Sequence, residues 1–470
     1  MRKHSILISA LTGILASLIM TKSEAQGPVI SAEQNYAASS PGVVMVQTVF
    51  SGIVYVNKVE MNERRFQLLV DSVKKLDTTG TMFTATEKLD IVVKALYNNP
   101  FRFFSGTREY FRQQHRIVSS GTGFFISGDG YIVTNAHIID RDNSFIRRKF
   151  ILSTYQEVTD ANIRSLQSSW AMTLTDEQRN LLNDAYSLIY SQVSSMIIFD
   201  LKKEIYIQYR KSNGVPGLVT SRSPARVIIK GKPMPGKDIA ILKVDSVKQV
   251  PTLAFSNDII PRIGEQVLVY GYPEPVTSNP YLAKETIIEP TLTAGVISAI
   301  KKSLNGWPVI QMDAVISHGS SGSPVCNNKG DVIGLATFGT LEQTTGALAS
   351  GYNFAIPVSV VKEFLDSAGV EIKPSEAAVA YRDGLNFFYK EYYARALNKF
   401  KTVRKLNESY PQLQYYIDNA NKMINSGNDK ESFYHKSVFR IIALCLVVGG
   451  LLIFSRWRWT ERRVKHPHGK

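Results

Sequence analysis

The sequence predicts a mainly β fold, interrupted by two helical insertions and followed by a small helical segment. Three observations carry this. From Ala225 to Pro357, short β-branched and aromatic runs recur between turn residues, the texture of an all-β sandwich or barrel. Upstream, at about 57–117 and 141–222, apolar residues fall at helical spacing instead. After Lys373 and Pro374 the helical pattern returns and continues to Lys430. At 470 residues, 44% hydrophobic and 20% charged, the chain has room for two or three domains.

Taken in order, Val43 to Val56 is apolar and β-branched and reads as a strand. Asn62 to Leu76 and Thr86 to Tyr97 have helical spacing, with Thr86 as the expected cap. Gly121 to Phe125 and Tyr131 to Thr134 are strands joined through Gly128, Asp129 and Gly130, a hairpin signal. Thr175, Asp176 and Glu177 open a helix running to about Ile198, and Glu204 to Tyr209 alternates like a strand. Strands are then expected at Arg226–Ile229, Ile239–Val244, Gln266–Tyr270, Thr293–Ile300, Val309–Met312, Val332–Ala336 and Tyr352–Ile356. Periodicity alone does not separate a sandwich from a barrel. Val358 to Ser367 reads as a closing helix.

Within 375–428, Gly384, Phe387, Ala396 and Phe400 fall at the small and aromatic packing positions of one tetratricopeptide (TPR) repeat, a helix pair of roughly 34 residues. A plain helical spacer is the alternative. Such a segment is a candidate docking surface for a protein partner.

The ends of the chain predict export and anchoring. Arg2 and Lys3, the apolar run Ile6 to Met20 and the small residues at Ser23 and Ala25 read as a signal peptide spanning 1–25. Residues 26–40 read as a linker. Val438 to Ser455 is long enough to span a bilayer. Trp457 and Trp459 suit its interface, and a basic tail over 456–470 follows, the pattern of a cytoplasmic flank. The expectation is a single-pass membrane protein with most of its mass outside the cytoplasm, on the periplasmic or extracytoplasmic side. The formal net charge is +15, from 55 Lys+Arg and 40 Asp+Glu. The tail holds six Lys/Arg against one Glu, and elsewhere the excess is spread thinly. That distribution argues against a nucleic-acid partner. The two cysteines are Cys326 and Cys445; with Cys445 in the expected span, no disulfide is expected outside the membrane. Cys326 reads as a small core residue. No metal-ligand cluster, phosphate loop or nucleotide motif occurs, so no metal and no cofactor are expected.

The chemistry is carried by Ser317-His318-Gly319-Ser320-Ser321-Gly322-Ser323-Pro324. A serine in a glycine-flanked turn is how many acyl-transfer enzymes present a nucleophile. Gly319 allows close approach of a substrate carbonyl, and the N–H groups of Gly319 and Ser321 can point at a developing oxyanion. Alone, such a turn is most often a hairpin loop. A base is needed to take the serine proton, and histidine fits. Of seven histidines, four lie at the expected signal peptide, the membrane edge or the tail. His115 reads as a solvated loop residue and His318 as the rim of the serine turn. His137 ends the strand Tyr131 to Thr134, at an edge where its side chain can enter a cleft. Asp238 precedes the apolar strand Ile239 to Val244, where a carboxylate must be paired.

These residues stand in the order His137, Asp238, Ser321. Together with the run from Gly121 to His137, Gly264 to Pro273, Thr293 to Ser298, Asp313 to Pro324 and Phe354 to Pro357, they make the chain resemble the trypsin-like serine proteases of the HtrA/DegP type. The resemblance covers about 41–370, less the two insertions. It implies two six-stranded β-barrels with the active site between them, and hydrolysis of protein or peptide substrates. It also implies His137 as base, Asp238 as its orienter, Ser321 as nucleophile, and the Gly319 and Ser321 N–H groups as oxyanion hole. Val315, with Phe338, Gly339 and Thr340, stands where the family has its specificity pocket, and points to a small or medium apolar residue at the cleavage site. The chain departs from the family at Ser320 and Ser323, which flank Ser321 where the family has other residues. About 100 residues separate His137 from Asp238. Helical texture stands where a PDZ domain would begin. An inactive, protease-like membrane adaptor binding partners through the TPR-like segment is the alternative function.

Overall fold

The computed structural model describes residues 30–455, except 77–81, 141–142, 171–172, 194–196, 213–217, 258–260, 284–285, 342–347 and 431–441. The expected signal peptide lies outside the described residues, as do 438–441 of the expected span and the whole basic tail.

The first half of the chain contains α1 (Ala32–Ser39), β1 (Val43–Met61), α2 (Glu63–Lys74), α3 (Ala85–Asn98), α4 (Pro100–Phe103), β2 (Phe104–Phe125), β3 (Tyr131–Thr134), α5 (Ala136–Ile139), α6 (Asn143–Trp170) and α7 (Asp176–Val193). Next come β4 (Ile197–Ser212), β5 (Leu218–Pro224), β6 (Arg226–Lys230), β7 (Ala240–Lys243), β8 (Ala254–Phe255), β9 (Gln266–Gly271), α8 (Glu274–Thr277), β10 (Thr291–Lys302) and β11 (Pro308–Met312). The chain continues with β12 (Pro324–Cys326), β13 (Asp331–Leu341), β14 (Leu348–Pro357), α9 (Val358–Ser367), α10 (Glu376–Tyr389), α11 (Tyr393–Leu406) and α12 (Leu413–Asn425).

The strands form two seven-stranded sheets, ordered β5-β4-β1-β2-β3-β7-β6 and β12-β9-β10-β11-β14-β13-β8. The second closes on itself because β12 also pairs with β13. The expected pair of six-stranded barrels is met only by the closed ring of the second sheet, to which β8 adds a seventh strand; among the described residues the first sheet has no closing pair and has five strands besides β4 and β5. β4 and β5, which leave the second insertion, add to the outer edge of β1 along Met45–Tyr55 and lengthen the sheet. Between the sheets lies an apolar core that includes Phe124, Val133, Ile241, Tyr270 and Leu335.

The two insertions, separate in sequence, share one core. β1 and β2 run on past the sheet as a long antiparallel ribbon. Phe50, Val54 and Val56 of that ribbon pack with Leu89, Val93 and Leu96 of α3, Phe150 of α6 and Leu182, Tyr186 and Ile189 of α7. Their burial drives the two helical segments together. α3 begins at Thr84, two residues before the expected Thr86, because Thr84 and Glu87 form a reciprocal capping box there. His115 also departs from the sequence expectation. It is buried in β2 rather than solvated, with Nε2 2.5 Å from Thr154 Oγ1 and its ring stacked on Phe150. Burial lowers its pKa, against a smaller opposing pull from Glu157.

Helices α10 to α12 dock back on the first half of the molecule. Ser375 caps α10 and also donates to the Val250 carbonyl, while Ser409 accepts from the Ser212 N–H. Gly384 lies flat on the Phe400 ring. Part of the expected linker is also structured: α1 is capped by Ser31, and Gln34 reaches Asn386 of α10. Residues 442–455 are helical, and among the described residues no helix is long and apolar enough to cross a membrane.

Candidate active site

His137, Asp238 and Ser321, spread over the chain, meet at the junction of the two sheets. His137 is held on the one-turn helix α5 directly after β3. Asp238 precedes β7, which pairs with β3, and this pairing brings the imidazole and the carboxylate together. The His137 Nδ1 to Asp238 Oδ2 distance is 2.6 Å, and the His137 backbone N–H donates to Oδ1 at 2.9 Å. Asp238 is 1% exposed and His137 31%, so the carboxylate is sealed while the imidazole keeps one edge toward solvent. With Nδ1–H on the carboxylate, Nε2 is the nitrogen free to act as a base.

A residue that sequence reasoning missed completes this arrangement. Thr337 Oγ1 donates to Asp238 Oδ2 at 2.8 Å, and the Thr337 carbonyl accepts from Ser321 Oγ at 3.1 Å. One threonine on β13 therefore contacts both the carboxylate and the candidate nucleophile. A single threonine inside a strand has no sequence signature; its only signal is its place just before Phe338.

Ser321 sits in a turn whose backbone is pinned at each peptide. Gly319 and Gly322 have φ of +88° and +85°, values that favour glycine. A Cβ on Gly322 would lie 1.9 Å from the Thr122 carbonyl oxygen. The His318 carbonyl accepts from Glu274 N–H at 2.6 Å, and the Ser320 carbonyl from Ser323 N–H at 3.1 Å. In a trans peptide the N–H points opposite to the preceding C=O. These two bonds therefore turn the Gly319 and Ser321 N–H groups away from α8 and the turn interior. Thr122 ties the turn to the first sheet: its N–H donates to the Ser321 carbonyl and its Oγ1 to the Gly319 carbonyl. His137, His318, Gly319 and Ser321 all line one cleft of about 660 Å³. Among the described residues His137 and Ser321 make no direct hydrogen bond; Ser321 Oγ donates to the Thr337 carbonyl instead.

Comparisons with known proteins find similarity to peptidases. Residues 191–335 match the model of the family described as a trypsin-like peptidase domain. That stretch is similar to trypsin-like peptidase domains. Curated relatives are of the HtrA type. A probable periplasmic serine endoprotease, DegP-like, of Rhizobium meliloti (strain 1021) is 32% identical over 163 residues, which is 32% of this chain and 29% of that protein. The serine endoprotease DegS of Escherichia coli (strain K12) is 32% identical over 133 residues, 27% of this chain and 34% of that one. Serine protease HTR4 of Bos taurus is 26% identical over 255 residues, 53% and 34% of the two chains. The chain thus spans about a third of the length of these relatives. A solved structure titled HtrA-type protease AlgW with decapeptide superposes at a TM-score of 0.37, with 17% identity, over 73% of this chain and 69% of that one.

The two departures around Ser321 have local compensations. Ser320 Oγ accepts from the Ser317 N–H at 3.3 Å and so braces the turn from inside. The fully buried Ser323 Oγ lies 2.1 Å from where a Cβ on Gly271 would be. Gly271 thus provides the room for the extra side chain. Val315, Phe338, Gly339 and Thr340 do not line the His137–Ser321 cleft. Val315 is exposed, and Phe338 stacks on Phe354 with ring centroids 4.7 Å apart. Cys326 is fully buried, and burial pushes its thiol up to about 12, which keeps it out of the chemistry. Among the described residues no cluster of His, Cys, Asp or Glu is arranged to hold a metal ion.

Proposed function

We propose that the chain is a membrane-anchored serine endopeptidase that hydrolyses peptide bonds of exported proteins. The observation that carries this reading is the sealed His137–Asp238 pair opening onto the same cleft as Ser321. In the proposed reaction Ser321 Oγ attacks the scissile carbonyl while His137 Nε2 takes its proton. Asp238 holds the imidazole tautomer and stabilises the imidazolium. The Gly319 and Ser321 N–H groups receive the oxyanion. His137 then protonates the leaving amine, and water attacks the acyl-enzyme through the same base. Substrate residues before the scissile bond are assigned to the surface near Val315, Phe338, Gly339 and Thr340.

Anchoring through 438–455 and export through 1–25 belong to the same proposal, supported by the apolar runs and the basic tail. The TPR-like reading of α10 to α12 is supported by the close packing of Gly384 on Phe400. Removing 438–470 should move the protein from the membrane fraction to the soluble one.

The resting hydrogen bond from Ser321 to Thr337 favours the inactive adaptor as a second reading. Digestion of an unfolded protein substrate by the full chain in detergent separates the two. Cleavage by wild type, with Ser321→Ala lowering kcat by about 10⁶, supports the peptidase. No cleavage by a folded wild-type chain favours the adaptor.

A further inference from the structure

The second insertion reaches the catalytic cleft. α6 starts four residues after α5, the helix that bears His137, and its first turns form a cleft wall through Phe145, Ile146 and Lys149. That wall continues with Ile117 and Val118 of β2 and with Ile138. Val315, Phe338, Gly339 and Thr340, to which substrate residues before the scissile bond are assigned, do not line this cleft. His137 delivers its proton to the leaving amine, so the leaving half of the substrate must lie on the side of His137, beside this wall.

The chemistry of the wall is specific. Phe145 is 39% exposed and Val118 43%, an apolar shelf open to the cleft. Lys149 stands above it, its Nζ 5.8 Å from the centre of the Phe145 ring. Among the described residues Lys149 forms no ion pair with this chain's own carboxylates. The cleft carries one carboxylate of its own besides the sealed Asp238. It is Glu274, on α8, whose N–H holds the His318 carbonyl on the oxyanion side of the cleft. A substrate carboxylate would be repelled by Glu274 and attracted by Lys149, and so would face α6.

Building on the proposed peptidase reading, we propose that Lys149, with Phe145, determines specificity on the leaving-group side and selects substrates bearing an acidic residue there. Lys149 acts by binding the substrate; it takes no part in bond making. The α6 segment thereby gives an insertion outside the strand framework a role in choosing the cleavage site.

The test compares internally quenched peptides that are identical before the scissile bond and carry Glu, Gln or Lys within the first three residues after it. Full-length wild type, Lys149→Met and Lys149→Glu are each assayed for kcat/KM, and the readout is the Glu-to-Lys preference within each protein. Wild type should prefer Glu over Lys by about three- to fivefold in low salt, an effect expected of a partly screened ion pair. Lys149→Met should bring the ratio near one, and Lys149→Glu should invert it. Higher ionic strength should compress the wild-type ratio. An unchanged ratio in Lys149→Glu, in a protein whose melting temperature matches wild type, overturns the assignment and leaves the peptidase reading standing. Absence of cleavage of all peptides, with no labelling of folded wild type by a fluorophosphonate, overturns both.

Discussion

The Ser321 turn and the helical module built from the two insertions face each other across one cleft, yet different forces hold them. The turn is a backbone structure. Two glycines at positive φ, the carbonyls of His318 and Ser320, and the two hydrogen bonds from Thr122 define it within a few residues. The module is held by distributed apolar burial along β1, α3, α6 and α7, with His115 and Thr154 as a buried polar contact. The turn should therefore fail abruptly when one atom is added. The module should weaken gradually and change the cleft wall without altering the turn.

The largest expected effect breaks the turn. In Gly322→Ala the new Cβ would overlap the Thr122 carbonyl, which is backbone and fixed in the sheet. Oxyanion geometry should be lost and kcat should fall by at least about 10² to 10³. Circular dichroism should show both sheets still folded, separating this from global unfolding.

Thr337→Val sharpens the same side of the comparison. It keeps the side-chain shape but removes the hydroxyl that Asp238 accepts. A hydrogen bond to a buried charged group contributes about 1.5–3 kcal/mol. If only the lower part of that acts on the imidazolium, kcat should drop about tenfold with KM little changed, as steady-state kinetics would show.

In the module, Leu182→Ala removes a fully buried side chain of the shared core. The expected loss is about 2–5 kcal/mol, read by denaturant unfolding. Native-state hydrogen exchange should place most of the loosening in α3, α6 and α7. Equal loosening of both sheets would mean that module and sheets form one cooperative unit.

A smaller effect tests the helical segment after the sheets. Gly384→Ala would normally gain about 1 kcal/mol of helix propensity. Here the new Cβ would lie 2.5 Å from the buried Phe400 ring, and overpacking costs about 1–3 kcal/mol. The clash should win, giving net destabilisation of about 1 kcal/mol or slightly more.

The smallest effect is pH-dependent. Burial lowers the His115 pKa below the ordinary 6.5, so the unfolded module binds the proton first. Its stability should be full above about 6.5, decline as pH falls toward the lowered folded pKa, and level off below it. His115→Phe should flatten that part of the profile.

This contrast also explains what was legible in the sequence. The strands around His137, Asp238 and Ser321 follow period-2 patterns and short motifs, and their pairing brings those three residues together as expected. The burial of His115 was not legible, because it depends on α6, which packs against β2 from outside the local sequence. The meeting of the two insertions was hidden for the same reason: Phe50 and Tyr186 share a core although β2 and β3 lie between them in sequence. Thr337 was invisible because its function depends on contacts to Asp238 and Ser321, which no local pattern encodes. Two strands of the first sheet, β4 and β5, come from an insertion that supplied extra edge pairing, and strand texture does not announce its partner.

The central claim is that Ser321 is a nucleophile activated by His137. It is tested most directly by treating the full-length protein with a fluorophosphonate and locating the adduct by tandem mass spectrometry. The account predicts one adduct, on Ser321, that disappears in His137→Ala while that variant keeps the wild-type melting temperature. An adduct on another serine, or labelling of Ser321 that persists undiminished without His137, would contradict it.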